Sequence, residues 1–440
     1  ERLALKYFEQ SSENNVPAGM YQRGLLLLEA KKIKPDYENG FFWLDKAAEN
    51  GDIHAIKELI KLYHDSHPFL KKKSILFLNE MEFYYKELLA KKGNLDALQE
   101  VSVAYYEGRP YVKINYEKAN SYFKELMNLD QTSGYLGSGL SYLYGRGIQV
   151  DYEKAKDFLE IAATRGDIQA MNGLGEIYRL GYGVEVNFQR AKDYYFEAAK
   201  GNETNALINL GLLNYRKQIQ GAKNELAFQY MTTAGEKGNK LAHYWLGIFY
   251  EKGIGTVEDH KKAELEYKKA IASDNEGAKY KYAQMLYENI SKSKANTKKK
   301  NTAYMEIKDL LIEYVRSPHT SDVNTTYSMY MLGELFSKKE FTLSSSKISR
   351  YYFELAAEKQ FTKAMVRMYH ILKEKEIQTA VNYLREAIKH PFDGEELFEM
   401  GNVFLEGNSI IEKDAHIARE FFGKASALGY HPAKEKLTML

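Results

Sequence analysis

Small and apolar residues recur along this chain at a helical spacing, and the pattern returns at a fixed interval. In residues 167–202 (DIQAMNGLGEIYRLGYGVEVNFQRAKDYYFEAAKGN), Ala170, Leu174, Ile177 and Tyr178 fall at i, i+4, i+7 and i+8. That spacing puts them on one face of a helix. Gly181 and Gly183 end the helix, since glycine adopts the left-handed conformation that closes one. A second helix begins near Asn187, with Ala191, Tyr195, Ala198 and Ala199 on its face, and Gly201-Asn202 breaks it. The unit is an antiparallel helix pair with small residues where the two backbones approach.

The leading small residue repeats every 36 positions, at Gly134, Ala170, Ala206, Ala242 and Ala278. The first four are followed by Ser138-Gly139, Leu174-Gly175, Leu210-Gly211 and Leu246-Gly247. A fixed period in this range means stacked repeats that bury a continuous core only together. Looser copies extend both ways. Toward the N-terminus they are marked by Gly19 with Trp43, by Ala55 with Tyr63, and by Ala97 with Tyr105. Toward the C-terminus the markers are Leu332-Gly333, Ala364 to Lys389, and Met400-Gly401. The pattern predicts an all-α, right-handed superhelical solenoid of about eleven antiparallel helix pairs. It spans 1–440 as one array, with partial repeats at 1–14 and 433–440. Two stretches break the rhythm and are expected to be loop insertions: 64–75 (HDSHPFLKKKSI) and the lysine-rich 288–302. The anchor after the second is delayed to about Ser328. Insertions in repeat proteins map to loops on one face, often the face that binds.

Composition narrows the function classes. Basic and acidic residues nearly cancel, 62 against 60, which argues against a dedicated nucleic-acid binder. The absence of cysteine excludes disulfides, thiolate metal sites and cysteine nucleophiles. No apolar stretch approaches the length of a membrane span. Tyrosine is common, at 36, and proline scarce, at 7. This suits a helical array that packs phenol rings between helices and presents others outward.

Residues 170–206, with their leading Ala, Leu-Gly, Tyr, Gly-x-Gly-Val, Asn before Arg-Ala, and closing Ala-Ala-x-x-Gly, resemble the Sel1-like repeat. This is a relative of the tetratricopeptide repeat with a longer, glycine-marked turn. Residues 131–274 match it best, including Gly147-Ile148, Asp151 and Lys154-Ala155. The resemblance implies a scaffold or adaptor, often bacterial and tied to the envelope, secretion, signalling or host contact. Family habit and a chain that starts at Glu1 favour export to the periplasm or envelope, with a cytoplasmic protein as the alternative.

Analogy with tetratricopeptide packing places one row of side chains per repeat on the concave side. Those slots hold Gln99, Tyr106, Leu140, Leu143, Asn172, Glu176, Arg179 and Tyr215. Further along they hold Tyr244, Glu251, Tyr280, Gln284, Tyr287, Tyr330 and Glu334. The partner-binding candidates are Tyr106, Asn172, Glu176, Arg179, Tyr215, Tyr244, Tyr280, Tyr287 and Tyr330, because tyrosine offers a large contact area with a polar tip. Tyr63, Tyr105, Tyr142, Tyr178 and Tyr250 are expected inside the repeats. His64-x-x-His67 is the one close histidine pair, but Asp65, Ser66 and Pro68 make it a loop rather than a metal-binding helix face. The other histidines, His319 among them, are scattered. The Gly-x-Gly turns follow helices rather than strands, so they are not phosphate loops. No catalytic residue, cofactor or metal is expected. The expected function is to bind another protein or peptide through a tyrosine-lined groove. The alternatives are a dedicated inhibitor or immunity protein, and a glycan or cell-wall-binding accessory protein.

Overall fold

The computed structural model describes residues 1–318, 322–390, 392–408 and 411–439. Among these the chain forms 24 α-helices and one 3-10 turn, Pro68–Leu70, and no strand beyond an isolated bridge between Arg109 and Val112. His319 and Leu440 lie outside the described residues. The helices form two compact units, Glu1–Ala222 and Lys223–Leu440.

The first unit opens with helix Arg2–Glu13 and continues in five antiparallel pairs. They are Pro17–Glu29 with Tyr37–Glu49, Ile53–His64 with Ile75–Lys91, Leu95–Glu107 with Tyr116–Asn128, Thr132–Tyr144 with Tyr152–Thr164, and Ile168–Leu180 with Phe188–Lys200. Helix Thr204–Tyr215 closes it. The second unit opens with Asn224–Glu236 and also holds five pairs. These are Lys240–Lys252 with His260–Ala272, Glu276–Lys292 with Thr297–Arg316, Asp322–Ser337 with Ser346–Glu358, Thr362–Leu372 with Ile377–Ala387, and Gly394–Glu406 with Ala415–Ala427. Helix His431–Met439 follows.

The repeating residues explain the repeating structure. The anchors Ala170, Ala206, Ala242 and Ala278 are fully buried. The glycine five positions on makes room for a large side chain of the second helix. A methyl group on Gly175 would stand 2.5 Å from the Tyr195 ring, and one on Gly247 would stand 2.6 Å from Tyr267. Both rings are fully buried. Gly181 ends its helix with φ +73° and donates its N–H to Ile177. The chain then returns, and the residue capping the second helix donates its backbone N–H to the first. Asn187 donates to the Tyr178 carbonyl and Asp259 to that of Tyr250, each at 2.8 Å. The Asn187 side chain accepts from Arg190 N–H, and Asp259 accepts from Lys261 and Lys262. A cap of this kind stabilises a helix by ~1 kcal/mol. The turn length is thereby fixed at both ends, which keeps the period constant.

Two expectations need correction. Residues 288–302 are not a loop: helix Glu276–Lys292 runs into them and Thr297–Arg316 starts within them, leaving 293–296 as the connection. The extra residues lengthen the helices to 17 and 20 residues. Lysines are good helix formers on a solvated face, and Asn296 caps the second helix by accepting from Lys299 N–H. Of the tyrosines expected inside, Tyr63, Tyr105 and Tyr178 are buried, but Tyr142 and Tyr250 are only half-buried. A lysine lies across each of those two rings, Lys154 on Tyr142 and Lys262 on Tyr250.

Candidate interaction surface

The first helices of successive repeats carry the row of side chains expected to face a partner. In the first unit these side chains are already engaged. Tyr106 is 8% exposed. It packs edge-on against Tyr116 and Phe123, and the Arg146 guanidinium lies 4.9 Å above it. Arg146 also sits over Tyr144 and Tyr116, so a turn residue of the next repeat covers Tyr106. Glu176 accepts a hydrogen bond from the Tyr144 hydroxyl at 2.7 Å. Asn172 accepts from Asn209 at 3.0 Å. Arg179 donates its Nε–H to the Tyr195 hydroxyl at 3.2 Å. Tyr215 is half-buried at the end of its helix.

The second unit brings the rings together. Tyr280 packs against Tyr314 and Tyr327. Tyr330 joins Tyr327, Phe353 and Phe361. Tyr280 is 7% exposed, and burial pushes its hydroxyl up to about 12. Tyr244, Tyr287 and Tyr330 stay half-buried, and burial raises each of their hydroxyl pKa values as well. A half-buried ring contributes contact area at low entropic cost. Tyr244 packs edge-on against Trp245, and the Lys338 amine lies over Tyr287.

Beyond the rings runs a ladder of ion pairs that the sequence reading missed. Arg367 bonds Glu334 at 2.7 Å, and Lys363 reaches Asp393 and Glu395. His370 lies 3.1 Å from Glu399, and Lys373 lies 3.8 Å from Glu406. Burial opposes the charges of Lys363 and Arg367, but their acidic partners more than restore them, and both pKa values are raised. Tyr330, Lys363, Val366, Arg367, Glu395, Glu396 and Glu399 line one pocket. A signal for part of this ladder was present. The candidates Asn172, Glu176 and Arg179 stand two, six and nine positions after Ala170; the same offsets from Ala364 give Val366, His370 and Lys373. At the C-terminal pair the position five before Gly401 is Glu396 instead of a small residue. It turns back to accept from Asp393 N–H in a capping box.

The histidine pair at 64 and 67 is divided. His64 faces Glu82, and His67 packs on Tyr37 and Phe41. Among the described residues no group of His, Cys, Asp or Glu converges in a metal-binding arrangement, and no helix is long and apolar enough to cross a membrane.

Stacked helix pairs presenting one row of side chains per repeat define a helical repeat protein, a class that generally serves as a protein-interaction scaffold. The chain belongs to the Sel1 repeat family. The family's repeat matches residues 1–16, 17–52, 95–126, 135–167, 168–203, 204–239, 240–275, 326–361 and 397–430, about two thirds of the chain. No curated protein is detectably similar in sequence. Among solved structures, the chain is similar to a protective antigen present in uropathogenic Escherichia coli strains, with an SLR fold. The identity is 20%, the TM-score 0.62, and the match covers 99% of this chain and 90% of that one. A Sel1 repeat protein from Oxalobacter formigenes matches at 18% identity and TM-score 0.48, over 78% of this chain and 91% of that one. An immunity protein from Pseudomonas aeruginosa matches at 18% identity and TM-score 0.35, over 50% and 83%. The first of these shares the fold of this chain.

Proposed function

We propose that this protein is a non-catalytic scaffold that binds a partner protein or peptide through the tyrosine-bearing face of its second unit. The observation that carries the reading is the set of half-buried tyrosines on successive first helices, Tyr244, Tyr287 and Tyr330. Family membership supports the class of function. In the first unit the corresponding polar side chains are tied into internal hydrogen bonds, so a ligand would have to displace them. The second unit has internal pairs of its own, Glu251 with Tyr267 and Glu334 with Arg367, but adds half-buried aromatic area beside them.

A pull-down from native lysate with the full chain and with Tyr244→Ala/Tyr287→Ala tests this. Tyr280 is left intact because its ring belongs to the core. The expected result is one stoichiometric protein partner, lost in the double variant with melting unchanged. A partner retained by the variant would move the site elsewhere. Recovery of glycan without protein would overturn the scaffold reading.

A further inference from the structure

A second docking surface lies on the first unit and is lined by none of the candidate tyrosines. The insertion 64–75 replaces the glycine turn of other repeats. It is tied down rather than loose: Leu70 is buried, and Phe69 stacks on Phe41 with ring centres 5.6 Å apart. Together with helices Tyr37–Glu49 and Ile75–Lys91 it forms a cleft of about 670 Å³. Aromatic side chains make up half of its lining. Phe42, Phe69 and Tyr84 are respectively 48%, 46% and 48% exposed. Tyr84 also borders a second cleft, of about 480 Å³, whose lining includes Tyr111 and the exposed Ile114. The two clefts therefore adjoin across successive repeats. Exposed aromatic rings beside carboxylates in a concave site offer both contact area and polar recognition.

Charge selects the occupant. The first cleft contains Glu38, Asp45 and Glu49 against one cation, Lys73. The Lys73 amine lies over the Phe77 ring, and the Lys46 amine is held by Glu49. Among the described residues, no cation is in ion-pair contact with Glu38 or Asp45. Asp45 accepts from the buried Tyr85 hydroxyl at 2.7 Å, which fixes its carboxylate at the cleft. Carboxylates among aromatic faces suit an incoming ammonium or guanidinium group, which both attract. We propose that these adjoining clefts dock a partner segment in which lysine or arginine alternates with apolar side chains. The cation lies in the first cleft near Glu38 and Asp45, and an apolar neighbour packs on Tyr84 and Ile114. This surface stands whether or not the tyrosine face binds.

The test is fluorescence anisotropy of the full chain with a short labelled peptide alternating lysine and leucine, beside its glutamate–leucine counterpart. The variants are Phe69→Ser/Tyr84→Ser, which changes exposed side chains, and Glu38→Gln/Asp45→Asn/Glu49→Gln, which keeps an acceptor for Tyr85. Circular dichroism confirms that each variant folds. The expected result is that the lysine peptide binds and each variant weakens it by at least about tenfold. The charge variant also loses the salt dependence, and Tyr244→Ala/Tyr287→Ala binds as the parent does. Unchanged affinity in either cleft variant, or binding of the lysine peptide no tighter than that of the glutamate peptide, overturns the proposal.

Discussion

The repeats at 168–200 and 240–272 are built alike, yet they hold their central ring by opposite means. In each, a glycine admits a fully buried tyrosine from the second helix, Tyr195 beside Gly175 and Tyr267 beside Gly247. In the first, Arg179 donates to the tyrosine hydroxyl; in the second, the hydroxyl donates to Glu251. Arg179 and Glu251 occupy equivalent positions nine residues after the anchor. A hydroxyl can accept or donate, so either charge satisfies it. The interior therefore demands one shape, while the surface row needs only a group that can form a hydrogen bond. This lets the surface row vary without loss of the fold.

The comparison breaks most severely if the ring is removed. Tyr195→Ala and Tyr267→Ala should each destabilise by ~3–5 kcal/mol, read as a lowered urea midpoint. A loss below ~1 kcal/mol in either would mean that the ring is not the keystone of its repeat. Alkaline pH reaches the same rings without mutation. Burial disfavours the phenolate and pushes Tyr195 up to about 12, above the unfolded value of ~10. Its contribution to stability is therefore complete below pH ~10 and is lost as pH rises through the folded value. Tyr267 shifts in the same direction, with burial first and Glu251 second among the causes. Phenolate absorbance should rise in two stages, with the buried tyrosines ionising only as far-ultraviolet ellipticity falls. A single smooth titration with ellipticity intact would contradict this.

Crowding the glycine is expected to cost less. Gly175→Val and Gly247→Val should each destabilise by ~1–3 kcal/mol, since the ring must move off its rotamer. Similar losses would confirm that the two repeats share one interior; a neutral result at one would separate them. The smallest effect is the most discriminating. Arg179→Glu and Glu251→Arg should each change stability by less than ~1 kcal/mol, because the hydroxyl reverses its role and the pairs are partly solvated. Replacement by leucine should cost more than either charge reversal, since it leaves a buried hydroxyl unpartnered. A charge reversal costing as much as leucine would show that polarity is fixed after all.

Much of the fold was legible because its rules are local. Ala170 and Gly175 mark a close approach, Gly181 a left-handed turn and Asn187 the start of the second helix, and each is decided within a few residues. The candidate surface was less legible. Tyr106 and Tyr280 occupy the same row as Tyr330 in sequence, but Arg146 covers the first and neighbouring rings bury the second. Arg367 stands three positions after Ala364, off the expected row, and its partner Glu334 comes from another repeat. The lysine-rich run at 288–302 was misread because polarity alone does not distinguish a loop from the solvated end of a long helix.

The sequence by itself determined that this protein is a stack of helix pairs, because period, small-residue anchors and turn glycines are short-range constraints that each repeat must satisfy. Only the tertiary structure decided which tyrosines serve the core and which remain partly open. It also decided that an insertion at 64–75 would wall an acidic, aromatic cleft. Those outcomes depend on contacts between residues from different repeats, where exposure is set by neighbouring helices rather than by position along one of them.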